Sequence, residues 1–269
     1  MTPTADAVIE TAGLTRRYDR LVAVDRLDLQ VSRGTIVGLL GPNGAGKTTT
    51  IKMLTTLLPP TSGSAWVAGF DIVRAPREVR RRIGYVPQMV SADGTLTGYE
   101  NLRLSAKLYG LSRAGRRQRI EDALEFMGLA QAGDQLVRQY SGGMIRRLEL
   151  AQAMLHEPAV LFLDEPTMGL DPLARRVVWD RLEELGRRAA TTILLTTHDM
   201  EEADELCDEI ALMHQGGIAA RGTPDELKRQ VGPDATLDDV FVHYAGGTIE
   251  AGGSYRDVRR TRSTVRRLG

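Results

Sequence analysis

The sequence predicts an α/β protein with a mainly parallel core sheet, an N-terminal antiparallel β part and a helical insert. Three observations carry this. Short, continuous apolar runs at 35–40 (TIVGLL), 159–163 (AVLFL) and 192–195 (TILL) read as strands buried on both faces. Helical patterns alternate with these runs, as a parallel sheet requires. A glycine-rich turn at 41–46 joins the first run to a helix. The chain has 269 residues, of which 42% are hydrophobic and 26% charged. It can bury a sizeable core, so disordered and fibrous classes are excluded.

The elements follow in order. Residues 23–31 alternate apolar and polar and read as one antiparallel strand. After the buried run at 35–40, a helix is expected from Lys47 to about Leu58, stopped by Pro59-Pro60. Residues 64–70 suggest a strand, 76–83 a short arginine-rich helix and 83–88 (IGYVPQ) another strand. The pattern is helical from about 96 to 139, which reads as an insert between sheet elements. The runs at 159–163 and 192–195 are the next strands, followed by a strand at 210–216 and a helix at 225–231. The domain reading is a core of 1–95 and 140–232, a helical subdomain of 96–139 and an extension of 233–269.

Composition excludes further classes. Lysine plus arginine and aspartate plus glutamate both total 35, so the formal charge is zero, which argues against a dedicated nucleic-acid binder. The single cysteine, Cys207, rules out a disulfide framework and a cysteine-built zinc site, and it reads as a small core residue in a cytosolic protein. The longest uncharged stretch, between Lys52 and Asp71, holds Pro59, Pro60 and Gly63, so it is a helix end and a turn, not a membrane span. No signal peptide is expected, because no basic flank precedes an apolar run at the N-terminus. Residues 254–269 hold six arginines and one acid, a solvated tail or a contact for anionic lipid or an acidic partner. In residues 236–241 (TLDDVF), Leu237, Val240 and Phe241 make a one-turn apolar face. That face either packs on its own domain or docks a partner.

Three motifs carry chemistry. Gly41-Pro42-Asn43-Gly44-Ala45-Gly46-Lys47-Thr48 follows a buried strand and opens a helix, the setting in which this spacing cradles phosphates. The glycines let backbone N–H groups converge on anionic oxygens, and the helix N-terminus adds partial positive charge. Lys47 is placed to reach the outer phosphates and Thr48 to reach Mg²⁺. Val160-Leu161-Phe162-Leu163 delivers Asp164 and Glu165 at a strand's C-terminal end, the ligand edge of an open parallel sheet. One carboxylate can hold Mg²⁺ through its water shell and the next can act as general base. Taken alone, the pair could also cap a helix. Ser141-Gly142-Gly143-Met144 opens a helix with exposed backbone donors, an anion site or a plain N-cap by Ser141.

Phosphate loop, Gln88, SGGM, LDEP, GLDP and TTHD occur in one order with familiar spacing, and together they resemble the nucleotide-binding subunit of ABC transporters over about residues 6–230. The resemblance implies the P-loop NTPase ABC nucleotide-binding fold, ATP and Mg²⁺ as cofactors and a homodimer with two shared ATP sites. Gly41 to Thr49 would hold the phosphates. Tyr18 matches the aromatic that stacks on adenine, or is an exposed strand-end tyrosine. Gln88 matches the glutamine that touches Mg²⁺ and water, and His198 the histidine on the γ-phosphate. Ser141, Gly142 and Gly143 match the signature that grips ATP bound to the other protomer. Asp171 matches an aspartate at the dimer interface, or simply belongs to an Asp-Pro turn.

Tyr140 and Met144 depart from the family's usual leucine and glutamine. Both departures, with RRLELAQAMLHEP, GTPDELK and TLDDVF, look like bacterial ABC-2 type drug and antibiotic-resistance exporters, similar to daunorubicin-resistance ATP-binding proteins. The implied partner is a separate ABC-2 type membrane permease and the implied location the cytoplasmic face of the membrane, with no nucleic acid bound. The rival readings are a soluble ABC ATPase acting on ribosomes or DNA and a non-hydrolysing ATP-gated module. The first usually needs two fused cassettes or a coiled-coil insert. The second needs the loss of Glu165 or His198, and both are present.

Overall fold

The computed structural model describes residues 6–189 and 191–245. Two sheets are present among them. The six-stranded sheet runs β11-β10-β4-β9-β8-β7. Its members are β4 (Ile36–Leu40), β7 (Ile83–Val86), β8 (Val160–Asp164), β9 (Thr192–Thr197), β10 (Glu209–His214) and β11 (Gly217–Gly222). All pairings are parallel except the β10–β11 hairpin. That hairpin turns at Gln215 and Gly216, both at positive φ, the conformation that a tight right-twisted hairpin needs. β4, β8 and β9 are buried along their whole length, as their continuous apolar runs predict.

The five-stranded antiparallel sheet is built on β1 (Ala7–Tyr18), paired with β2 (Leu21–Leu27), β3 (Gln30–Ser32) and β5 (Ser62–Val67), with β6 (Phe70–Asp71) beyond. The single strand expected at 23–31 is therefore two. Asp28 leaves the ladder because its carboxylate accepts from Gly13 N (2.7 Å). Thr11 Oγ1 fills the gap, donating to Leu27 O (2.7 Å) and accepting from Leu29 N (2.8 Å).

Helix α1 (Lys47–Leu54) ends before the prolines that were expected to stop it. Thr56 takes a left-handed conformation, and Leu57 and Leu58 N both turn back onto Lys52 O, closing the last turn. α2 (Pro76–Arg80) leads into β7. The helical stretch is α3 (Gly98–Leu108) and α4 (Arg113–Phe126), then two single 3-10 turns. Thr97 and Glu100 form a reciprocal cap on α3. α5 (Gly142–Met154), α6 (Pro172–Ala189), α7 (Met200–Leu206), α8 (Pro224–Val231) and α9 (Leu237–Ala245) complete the order.

The parallel sheet separates two apolar cores, because alternate side chains point to opposite faces. Leu161, Leu163, Ile193, Leu195 and Leu212 join the core shared with α3 to α9. Val160, Phe162, Leu194, Ala211 and Met213 join the other, shared with α1 and the antiparallel sheet.

The face of TLDDVF packs on its own domain. Leu237 and Val240 are 2% and 1% exposed, Phe241 is half-buried, and α9 lies against α7, α8 and β11. Truncation after Gly232 is accordingly expected to lower the melting temperature by about 10 °C, from a loss of about 3 kcal/mol of apolar burial. Differential scanning calorimetry of the truncated chain checks this, and an unchanged Tm would show α9 to be dispensable for folding. The arginine-rich segment 254–269 lies outside the described residues.

Candidate functional site

The ends of β4, β8 and β9 meet where the phosphate-binding loop begins. The loop is shaped by close backbone approach. A Cβ at Gly41 would stand 2.4 Å from Met213 O, and one at Gly46 would stand 2.4 Å from Ala23 O. Gly46 also has φ of +105°, which side chains rarely adopt. Lys47 is buried, and its Nζ donates to Gly41 O (2.7 Å) and Pro42 O (3.2 Å). Burial lowers its pKa from the ordinary lysine value, against the opposing pull of Glu165 and Asp164.

Two acids stand opposite. Asp164 Oδ1 accepts from Thr48 Oγ1 (2.9 Å) and from Thr196 Oγ1 (2.7 Å). The Thr48 and Asp164 oxygens are hard donors of the kind that hold Mg²⁺. Among the described residues no cluster of three or more His, Cys, Asp or Glu could hold a metal. A cation here would complete its shell with phosphate oxygens and water, which is how Mg²⁺ is usually held.

Glu165 is 7% exposed and sits at φ +49°, left-handed for a non-glycine residue. Thr196 holds it there: its carbonyl and its hydroxyl both accept from Glu165 N (3.1 and 3.0 Å). Such strain persists only where surroundings over-determine it, and it aims the carboxylate back at the loop. Glu165 Oε1 lies 3.7 Å from Lys47 Nζ and Oε2 lies 3.1 Å from His198 Nδ1. Lys47, Thr48, Asp164, Glu165 and His198 thus form one constellation, although 151 positions separate Lys47 from His198 in sequence.

The other expected residues surround or flank it. Gln88 Nε2 donates to Met168 Sδ (3.2 Å), so its amide is engaged by the loop that follows Glu165. Tyr18 ends β1 at 42% exposed, with the Arg16 guanidinium 4.7 Å from its ring centroid. Asp171 caps α6, accepting from Leu173 N and Ala174 N (both 3.0 Å), the role an Asp-Pro turn predicts. Ser141 caps α5 by accepting from Met144 N (3.3 Å). A Cβ at Gly143 would press on Ala174 Cβ at 2.8 Å, so this glycine also permits α5 and α6 to approach. α5 packs on α3, α4, α6 and β7, whereas α1 packs on β2, β5 and β8. The Ser141 and Lys47 helix starts therefore belong to different neighbourhoods of one chain.

Tyr140 has a local reason for replacing leucine. Its hydroxyl donates to Ala132 O (2.6 Å), and Gly98 leaves room for it, since a Cβ there would stand 2.3 Å from the hydroxyl oxygen. Met144 is half-buried against the core.

Sequence reasoning missed Thr196, Arg146, Glu149 and Glu202. Glu202 is buried beside His198 in a small polar cleft and accepts from Thr167 Oγ1 (2.6 Å) and Trp179 Nε1 (3.1 Å). Burial raises its carboxyl above the ordinary glutamate value, against the hydrogen bonds from Thr167, Thr197 and Trp179. A raised carboxyl favours the native state when protonated, so stability is lost as pH rises from the ordinary value through the raised one. Glu202→Gln keeps an acceptor without the charge. Its Tm is expected to exceed the wild type's at about pH 8, the gap closing as pH falls. A lower Tm than wild type at high pH would overturn this account.

A glycine loop between buried strand and helix, facing paired acids at the neighbouring strand end, defines a P-loop nucleoside-triphosphatase cassette. The chain belongs to the ABC transporter family, whose profile matches residues 24–168, and it is an ATP-binding subunit, an ABC ATPase. It is 48% identical over 242 residues to the daunorubicin resistance ATP-binding protein DrrA3 of Streptomyces coeruleorubidus, covering 90% of this chain and 76% of that protein. It is 44% identical to the doxorubicin resistance ATP-binding protein DrrA of Mycobacterium tuberculosis, covering 84% and 69%. A solved ATP-binding subunit of an ABC transporter matches with a TM-score of 0.78 at 34% identity, covering 88% of this chain and 99% of that one. A dimeric cassette in a post-hydrolysis state, bound to ADP and Pi, shares the fold at 24% identity and a TM-score of 0.73.

Proposed function

We propose that this chain powers a separate ABC-2 type membrane permease that exports a drug, antibiotic or other hydrophobic compound. The observation that carries the reading is the joining of Lys47, Thr48, Asp164, Glu165 and His198 in one constellation. The loop from Gly41 to Thr49 binds the ATP phosphates, with Tyr18 against the base. Thr48, Asp164 and Gln88 would hold Mg²⁺, which would supply charge stabilisation to the phosphates. Glu165 takes the proton of the attacking water, and His198 orients Glu165 and contacts the γ-phosphate. Ser141, Gly142 and Gly143 of a second copy close the site, with Asp171 at the interface. Little covalent work is left for the protein beyond positioning and charge stabilisation.

The export reading is supported by the drug-resistance roles of the relatives. Among the described residues no helix is long and apolar enough to cross a membrane. A partner at the cytoplasmic membrane face would supply the span. Met89 and Val90, just after Gln88, are 81% and 65% exposed, and Leu104 and Leu108 on α3 are exposed too. Asn101 ties that loop to α3, accepting from Asp93 N (2.9 Å) and donating to Asp93 O (3.0 Å). Co-purification with a six-helix membrane protein, together with Mg²⁺-dependent phosphate release, tests the proposal. ATP turnover without such a partner favours the ribosome or DNA reading; no turnover with the partner present favours the ATP-gated module.

A further inference from the structure

Arg146 and Glu149 lie one turn apart on α5, with Nη1 3.1 Å from Oε2. Arginine and glutamate at this spacing normally form a solvated pair of small worth. Here both side chains are less than a tenth exposed. All three guanidinium nitrogens are engaged. Nε donates to Pro166 O (2.6 Å), Nη1 to Pro87 O (2.7 Å) as well as to Glu149, and Nη2 to Glu165 O (3.0 Å) and Asp164 O (3.5 Å). Glu149 Oε1 accepts from Ser91 N (2.5 Å) and Ser91 Oγ (2.9 Å).

These partners fall into two groups. Pro87 and Ser91 bracket the short loop that carries Gln88, and residues 164–166 form the turn that carries both acids. One desolvated ion pair therefore fastens both ends of the Gln88 loop and the strained Glu165 turn to the helix that begins at Ser141. Burying two charges is costly, and an apolar pair would hold a helix as well. What an apolar pair cannot do is bind backbone carbonyls on two separate segments at once.

We propose that the Arg146–Glu149 pair positions the Gln88 loop and the Glu165 carboxylate relative to each other for hydrolysis. The inference rests on the roles proposed above for Gln88 and Glu165. Neither Arg146 nor Glu149 is placed on the phosphates, so the pair acts on turnover and not on ATP affinity. Lysine at 146 keeps the charge but concentrates its donors on one nitrogen, which cannot serve both segments.

The test compares the full chain with Arg146→Lys, Glu149→Gln, Gln88→Ala and the Arg146→Lys/Gln88→Ala double variant. The readouts are steady-state phosphate release, binding of a fluorescent ATP analogue and thermal melting. Arg146→Lys is expected to stay folded, to bind nucleotide within about threefold of wild type and to lose roughly tenfold or more in kcat. Gln88→Ala should cost less in the Arg146→Lys background than alone, because both changes act through one loop. A folded Arg146→Lys with kcat within about twofold of wild type overturns the proposal. So do equal losses in binding and turnover, or independent effects in the double variant. Unfolding of both Arg146→Lys and Glu149→Gln also overturns it, assigning the pair to the fold alone. Glu165→Gln run alongside separates the two readings. If it turns over normally, the Glu165 role fails and takes this inference with it; if it is inactive while Arg146→Lys is normal, only this inference fails.

Discussion

Glu165→Gln is expected to bind ATP as the wild type does while losing about 10²- to 10⁴-fold in turnover. The amide has the shape of the carboxylate and can still accept from His198, which lies 3.1 Å from Oε2. The backbone constraint also survives, since Thr196 holds Glu165 through its N–H and not through its side chain. What is lost is the ability to accept the water's proton, together with the negative charge 3.7 Å from Lys47 Nζ. With chemistry stalled after binding, an ATP-bound dimer should accumulate. Phosphate release and mass by light scattering report the two effects, and wild-type hydrolysis in this variant would remove the general-base assignment.

The second large effect concerns the sharing of one site between two copies. Lys47→Ala removes the ammonium from the phosphate loop, and Ser141→Arg blocks the start of α5. Each variant alone is expected to lose ATP-driven dimerisation, and about 10²-fold or more of its hydrolysis. Mixed dimers contain one site with both defects and one with neither, provided that each site draws its loop and its signature from different chains. A mixture should therefore recover part of the lost dimer. The different neighbourhoods of α1 and α5 within one chain motivate the experiment. Equal failure of the mixture and both variants would count against a composite site.

The parts of this protein legible in its sequence are those whose chemistry is local. The phosphate loop needs glycines where backbone segments crowd Gly41 and Gly46, and no other residue satisfies that need. The runs of β4, β8 and β9 are continuous because both faces of those strands are covered. β1 was not legible, since its register shifts four times against its partners and Gly13 breaks its alternation. α6 was hidden by its charges, many of which form surface pairs along the helix. Arg146 was invisible for another reason. Apart from Glu149, its acceptors are main-chain carbonyls up to 59 positions away, and a carbonyl leaves no mark on the residue type that bears it. Glu202 stands among the acids Glu201, Asp204 and Glu205, and only packing, which places Thr167 and Trp179 against it, sets it apart.

The sheet that parts the two cores also partitions how this protein can change. Val160, Phe162 and Leu194 face the layer that carries the phosphate loop, while their neighbours Leu161, Leu163 and Leu195 face the helical layer. Substitutions on opposite faces share few contacts, so their effects on stability should combine almost independently. A lineage can thus remodel the loop that presents Met89 and the helix that presents Leu104 and Leu108 to the outside while the nucleotide layer stays as it was. Sequence drift tuned to a new partner need not pass through variants that have lost the ability to use ATP.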